Sequence, residues 1–319
     1  MTKIIDMHCD ALSKLLENPH RSFAKIEQGM DVSLPYLQQS GVLLQNFAIY
    51  LSERTNQVRM EEVFRCVDLF RRKIIDLPEV TFIRTSDDLQ KLAQTKGTVG
   101  ALLSLEGADA LGGELLYVRL LFELGLRMIG ITWNHANWAA DGVMEPRQGG
   151  FTLKGKQFVK ECNRMGMLMD VSHLCETGFW ELIELSHKPL AASHSNAYAV
   201  CAHPRNLKDG QIRAIAAQDG WIGLTFVPYF VSSDVAGQVT PDRLLRHIEH
   251  MCELGAERNI GFGSDFDGIE QWIAGLEHAG KYDTLANLLY KNYRSEEAEG
   301  FLCGNVYRYL LRELPKSNV

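Results

Sequence analysis

Six side chains able to bind a metal ion or carry a proton, His8, Asp10, Glu106, His173, His194 and Asp265, stand at or just past the ends of short apolar runs, with His8 and Asp10 sharing the first. In Asp6-Met7-His8-Cys9-Asp10 the two donors lie two residues apart, so on a strand they project to one face, a nitrogen and oxygen pair suited to zinc. Taken alone, such an H-x-D pattern also describes a salt-bridged strand end. Glu106 follows Ala101-Leu102-Leu103-Ser104-Leu105, and its two oxygens would let it bridge two cations rather than end a strand in water. His173 and His194 close the runs Leu168–Ser172 and Leu190–Ser193. One such histidine reads as a hydrogen-bonded core residue, but a repeat on successive strands points to a second cation. Two ions sharing a hydroxide would lower its pKa and polarise a carbonyl, provided each keeps an open position. Asp265, in Gly261-Phe262-Gly263-Ser264-Asp265-Phe266-Asp267-Gly268, is the candidate general base and acid, whereas Asp267 reads as an Asx-turn residue.

Residues hundreds of positions apart can meet only if the fold gathers strand ends. Eight runs read as strands: Ile4–His8, Val42–Tyr50, Val99–Glu106, Met128–Trp133, Met167–His173, Leu190–His194, Trp221–Val227 and Ile260–Asp265. Between them apolar residues recur at helical spacing, as in Met60, Val63, Phe64, Val67, Phe70 and Ile74, and in Leu244, Leu245, Ile248, Met251 and Leu254. Thr240-Pro241-Asp242 reads as an N-cap followed by proline, Gly166 and Gly255 as helix stops, and Ser295 as the cap of a closing helical region. Alternation without a linker or repeat predicts one α/β domain over residues 1–319, a (β/α)8 TIM barrel of the metal-dependent, amidohydrolase-like type, with its chemistry at the C-terminal mouth. The irregular segment Asn137–Phe151 is expected to be a mobile loop over that mouth.

A chain of 319 residues, 46% apolar and 23% charged, can build a large core. Its net charge of −7 excludes the basic surplus that nucleic acid binding needs. No stretch reads as a signal peptide or a membrane span, and the seven scattered cysteines never form C-x-x-C, so the expectation is a cytoplasmic protein with no nucleic acid or membrane partner.

Six segments together resemble the membrane (renal) dipeptidase family, the M19 metallopeptidases, as a bacterial-type soluble member. They are Asp6–Asp10, Ser104-Leu105-Glu106-Gly107, Asp170-Val171-Ser172-His173, Ser193–Tyr198, Arg205-Asn206 and Gly261–Gly268, joined at the end by Gly304-Asn305-Val306-Tyr307-Arg308. The resemblance spans nearly the whole chain in family order. It implies two zinc ions per chain, one held by His8 and Asp10, the other by His173 and His194, with Glu106 bridging. It further implies Asp265 as proton carrier, Arg205 as the clamp on the substrate's C-terminal carboxylate, dipeptides as substrates, often with a C-terminal D-residue, and a homodimer. Met7 and Cys9 depart from the glycine and asparagine usual in the first motif without removing a donor. Trp133 falls where mammalian members carry a substrate-contacting histidine. His135, two residues on, is either the replacement or an ordinary loop histidine.

Other readings remain open at this level. A single-metal deaminase or cyclic amidase shares the barrel, although the deaminase pattern usually begins with H-x-H. A glycosidase would use Glu106 and Asp265 as its paired carboxylates. A non-catalytic binding barrel would be expected to carry damaged ligands, and none is damaged here.

Overall fold

The structure, a computed structural model, describes residues 2–52, 58–234 and 238–317. Nine parallel strands run in chain order: β1 (Ile4–Asp6), β2 (Val42–Tyr50), β3 (Val80–Phe82), β4 (Val99–Glu106), β5 (Leu126–Gly130), β6 (Leu168–Asp170), β7 (Ala191–Ala192), β8 (Trp221–Leu224) and β9 (Ile260–Phe262). Their neighbour order is β2-β1-β9-β8-β7-β6-β5-β4-β3, and a further β2–β4 pairing closes eight of them into a barrel. All eight expected strands form. The ninth, β3, was not anticipated, because Val80-Thr81-Phe82 is short and only half-buried. It pairs with the first part of β4 alone, Val80 opposite Val99 through Phe82 opposite Ala101, before β5 takes over at Leu103.

The apolar runs lack polar alternation because a barrel strand is buried on both faces. Ile5, Leu44, Leu102, Met128, Leu168, Ala191 and Trp221, from seven different strands, meet in one cluster with Val306, Tyr309 and Leu310 of the helix Asn305–Glu313. This packed plug fills the barrel beneath the strand ends, so the carboxyl ends are the face left for chemistry. Trp221 dominates it, and a Cβ at Gly261 would lie 2.8 Å from the indole. A larger core lies between the strands and the outer helices.

The helical periodicities are real, with local differences. Met60–Leu69 continues as a wider turn over Phe70–Ile75 and buries Met60, Val63, Val67, Phe70 and Ile74, while Phe64 stays exposed. Asp242–Glu253 buries Leu244, Leu245, Ile248 and Met251, but Thr240 supports it through its carbonyl, which accepts from Arg243 N, rather than through its hydroxyl. Gly166 and Gly255 take the left-handed φ of 72° and 83° expected of helix stops. Ser295 is not the cap of its helix. Arg294 precedes it, and the Glu297 carboxylate reaches back to accept from Arg294 N at 3.0 Å. The segment 137–151 is not a free loop. Asp141 accepts from Arg147 Nε and Gly149 N, its carbonyl accepts from Cys175 N, and Ala140 bridges to Phe151. All seven cysteines are unpaired, and no helix among the described residues is long and apolar enough to cross a membrane.

Candidate metal centre

Two of the mouth residues owe their position to aspartates that end strands. β1 stops at Asp6, whose buried carboxylate accepts from His8 N and from Ser264 N and Oγ after β9, and from Tyr282 OH at 2.6 Å. These bonds tie the end of β1 to the segment after β9, and the chain runs on with Cys9 bridged to Phe266 in parallel, His8 and Asp10 lying on either side of it. Asp10 lies just before the helix Ala11–Glu17. Asp170 at the end of β6 repeats the device: it accepts from Ser172 N at 2.9 Å, Ser193 N at 2.8 Å and the Ser193 hydroxyl. Burial raises the pKa of both aspartates, against the pull of these hydrogen bonds. Neither was given a role from the sequence. The available signal was an aspartate two residues before His8 and three before His173.

Around Glu106 the expected residues converge. Oε1 lies 2.8 Å from His173 Nε2 and 3.4 Å from His194 Nε2, while Oε2 lies 3.5 Å from His8 Nε2. His8 Nε2 is also 3.6 Å from Asp10 Oδ2 and 3.8 Å from Asp265 Oδ1. Donor atoms of His8, Glu106 and His194 lie within 4.8 Å of one another, as do those of His8, Asp10 and Asp265. His173, Asp265 and Asp267 adopt left-handed φ of 71°, 68° and 68°, backbone strain of the kind that collects where side-chain placement matters more than local comfort. A Cβ at Gly268 would lie 2.3 Å from Asp10 Oδ2 and 2.7 Å from Asp265 Oδ1, so only glycine lets these carboxylates sit together.

The hydrogen bonds fit a cation. The Ser193 hydroxyl donates to Asp170, so it accepts from His194 Nδ1 at 2.7 Å, which leaves the Nε2 lone pair facing the site. His173 Nδ1 meets Asn134 Oδ1 at 2.8 Å, with the same consequence. The two Nε2 atoms are then 2.9 Å apart beside a carboxylate oxygen, three acceptors around one point. His8 Nε2 and Asp10 Oδ1 are buried without a hydrogen-bond partner. A divalent cation satisfies such a mixed imidazole and carboxylate set.

Electrostatics follow from burial and crowding. Burial lowers His173 to about 4, aided by Arg205, and lowers His194 well below its usual value, aided by His8. Burial opposes the charge on Glu106, yet the His8 imidazole beside it draws the carboxyl well below its ordinary range. Burial, with Asp10 and Glu106 adding repulsion, pushes Asp265 up to about 7, where a carboxyl can both give and take a proton.

A cavity of about 520 Å³ opens above these groups, with Asp10, Glu106, His173 and Asp265 at its base and Trp133, Arg205 and Tyr229 in its walls. Arg205 is buried, donates through Nη2 to His194 O at 3.3 Å, and has no partner for Nε. Trp133 lies on the cavity wall with its ring 5.9 Å from that of His173. His135 is exposed and does not line the cavity; the residue between them, Asn134, does. Asn134 and Tyr229 were not identified from the sequence, since neither stands at a strand end beside a second polar signal.

The membrane dipeptidase (peptidase family M19) model matches residues 1–316. Dipeptidase aclJ of Aspergillus oryzae is 31% identical over 291 residues, covering 88% of this chain and 69% of that protein. Dipeptidase tcpJ of Claviceps purpurea is 29% identical over 268 residues, 82% of this chain and 62% of that protein. Among solved structures, the family M19 metallopeptidase dipeptidase AC superposes with a TM-score of 0.90 at 28% identity, covering 98% of this chain and 99% of that one. A Rhodobacter sphaeroides metallopeptidase, liganded with a phosphinate mimic of the dipeptide L-Ala-D-Ala, gives 0.89 at 27% over the same shares.

Proposed function

Because the chain belongs to the membrane dipeptidase family, peptidase family M19, we propose that it is a two-zinc dipeptidase that accepts a D-residue at the C-terminal position. The observation that carries this reading is the placement of Glu106, with one oxygen toward His173 and His194 and the other toward His8. His8 and Asp10 would hold one ion, His173 and His194 the other, and Glu106 would contribute an oxygen to each. When bound, the ions supply Lewis acidity toward the scissile carbonyl and a water acidified to near neutral pH.

The chain's own groups do the rest. Arg205, buried with an unbonded Nε, binds the substrate's terminal carboxylate through its fork of donors, which orients the peptide bond over Glu106. Asp265, at the base of the cavity and 3.8 Å from His8 Nε2, accepts a proton from the attacking water at its carboxylate and returns it to the departing amine nitrogen. Trp133 and Phe230 in the wall exclude water from the reacting bond. The dipeptide-mimic complex of the Rhodobacter sphaeroides protein, similar over nearly the whole chain, supports the substrate class and the D-residue.

The test is release of free amino acids from L,L- and L,D-dipeptides, with metal content measured on the same preparation. The reading expects cleavage of both classes, loss on chelation and recovery with zinc. A metal-loaded preparation that cleaves no dipeptide refutes it.

A further inference from the structure

We infer that Lys14 selects dipeptides whose first residue carries an acidic side chain. This rests on the dipeptidase reading and adds the side-chain class to it. In the circular order of the eight-stranded barrel, β7 stands opposite β2. Arg205 follows β7, so a substrate whose terminal carboxylate it holds, with the scissile bond over Glu106, directs its N-terminal residue to the far wall. Ser13 and Lys14 after β1, Tyr50 at the end of β2 and Ser52 beyond it line that wall.

Lys14 is the cation of that wall. It sits one helical turn after Asp10, half-buried, and among the described residues no carboxylate comes within ion-pair distance of its Nζ. Three of the acids near it are engaged elsewhere, and Glu270 is the remaining carboxylate of the lining outside the metal centre. Glu17 faces Arg21 at 3.6 Å. Asp267 accepts from Asp31 N at 2.7 Å and Val32 N at 3.1 Å, and Asp31 accepts from Asp267 N and Trp272 Nε1. Lys14 acts on Asp31 and Asp267 only through space, so a ligand carboxylate would give its ammonium the contact anion that it lacks in this cavity. In the lining, Arg205 is the other cation, and it serves the backbone carboxylate.

The test compares the zinc-loaded enzyme on Glu-Ala, Gln-Ala, Ala-Ala and Lys-Ala, because glutamate and glutamine differ in charge and hardly in shape. The expected kcat/KM ratio of Glu-Ala to Gln-Ala is about tenfold, the scale of one partly buried charge pair. In Lys14→Gln that ratio falls to near unity, and in Lys14→Glu the preference moves to Lys-Ala. Equal efficiency on Glu-Ala and Gln-Ala in the parent, with Ala-Ala cleaved, overturns the inference and leaves dipeptide hydrolysis standing. A preparation that cleaves none of the four overturns both. A ratio unchanged in Lys14→Gln overturns the assignment to Lys14.

Discussion

The hydroxyl of Ser193 lies 2.7 Å from Nδ1 of its neighbour His194, and the same hydroxyl donates to the carboxylate of Asp170. A serine with its proton committed to Asp170 can only accept from the imidazole, so it fixes the tautomer that turns Nε2 toward Glu106. Outer partners of this kind set metal affinity without touching the metal. Ser193→Ala is therefore expected to weaken one ion by about 10-fold or more in chelator competition, and His194→Ala to lose that ion under the same conditions. Unchanged affinity in Ser193→Ala would show that the tautomer is held by something else.

Asp265 contacts the site but need not hold a cation for the chemistry proposed. Asp265→Asn keeps the shape and an oxygen at the position while removing the proton acceptor. Turnover should fall by roughly 100-fold or more, the scale of general acid–base catalysis, with both ions retained by elemental analysis. Near-parental rates in the metal-loaded variant would remove Asp265 from the proton path.

The carboxylate-binding role proposed for Arg205 can be tested apart from the reaction itself. The parent should discriminate strongly against dipeptides whose C-terminus is amidated. Arg205→Met should erase most of that discrimination by raising KM for the free acid about 100-fold, the cost of truncating one partner of a buried charge pair. If the variant still prefers the free acid by the parental factor, another group holds that carboxylate.

The barrel and the mouth residues were legible because burial on both faces leaves uninterrupted apolar runs, and because acids and imidazoles at the ends of such runs stand out. What the sequence concealed was geometry beyond the strands. His8 and Asp10 flank Cys9, whose parallel bridge to Phe266 lies beyond the end of β1, and His173 sits at a left-handed φ of 71° that no residue type announces. Asn134 and Ser193 were hidden for a related reason: a single polar side chain that orients an imidazole has no periodicity. The segment 137–151 looked like loose loop because glycines and charges dominate it, yet those charges are the ones that tie it down.

Gly268 gives a test of crowding that leaves the charged groups in place. With a methyl group 2.3 Å from Asp10 Oδ2 and 2.7 Å from Asp265 Oδ1, one or both carboxylates must move in Gly268→Ala. The fold should survive, since the clash falls on side chains in the mouth rather than on the packed floor. Activity is expected to drop by about 100-fold, as a 1 Å displacement of reacting groups does, with circular dichroism and thermal midpoint close to the parent. Parental activity would mean that the pair has slack the structure does not show.

His247 lies away from the metal centre and is expected to contribute to acid sensitivity. Its Nδ1 accepts from Ala197 N at 3.1 Å and its Nε2 donates to Val231 O at 2.9 Å, so both ring nitrogens are committed in the neutral form. Burial lowers its pKa to about 4, with Arg246 and His250 adding to the effect. Between the unfolded value near 6.5 and about 4, the unfolded chain binds a proton that the folded chain refuses, so stability falls as pH falls through this window. The full effect is on the order of 3 kcal/mol. His247→Gln, which cannot titrate, should be less stable than the parent near neutral pH for want of one hydrogen bond, but its thermal midpoint should decline less steeply on acidification to about pH 5. Parallel declines in the two proteins would place the acid sensitivity in other groups, and a His247 imidazole signal that titrates near 6.5 by NMR would contradict its commitment to the neutral form.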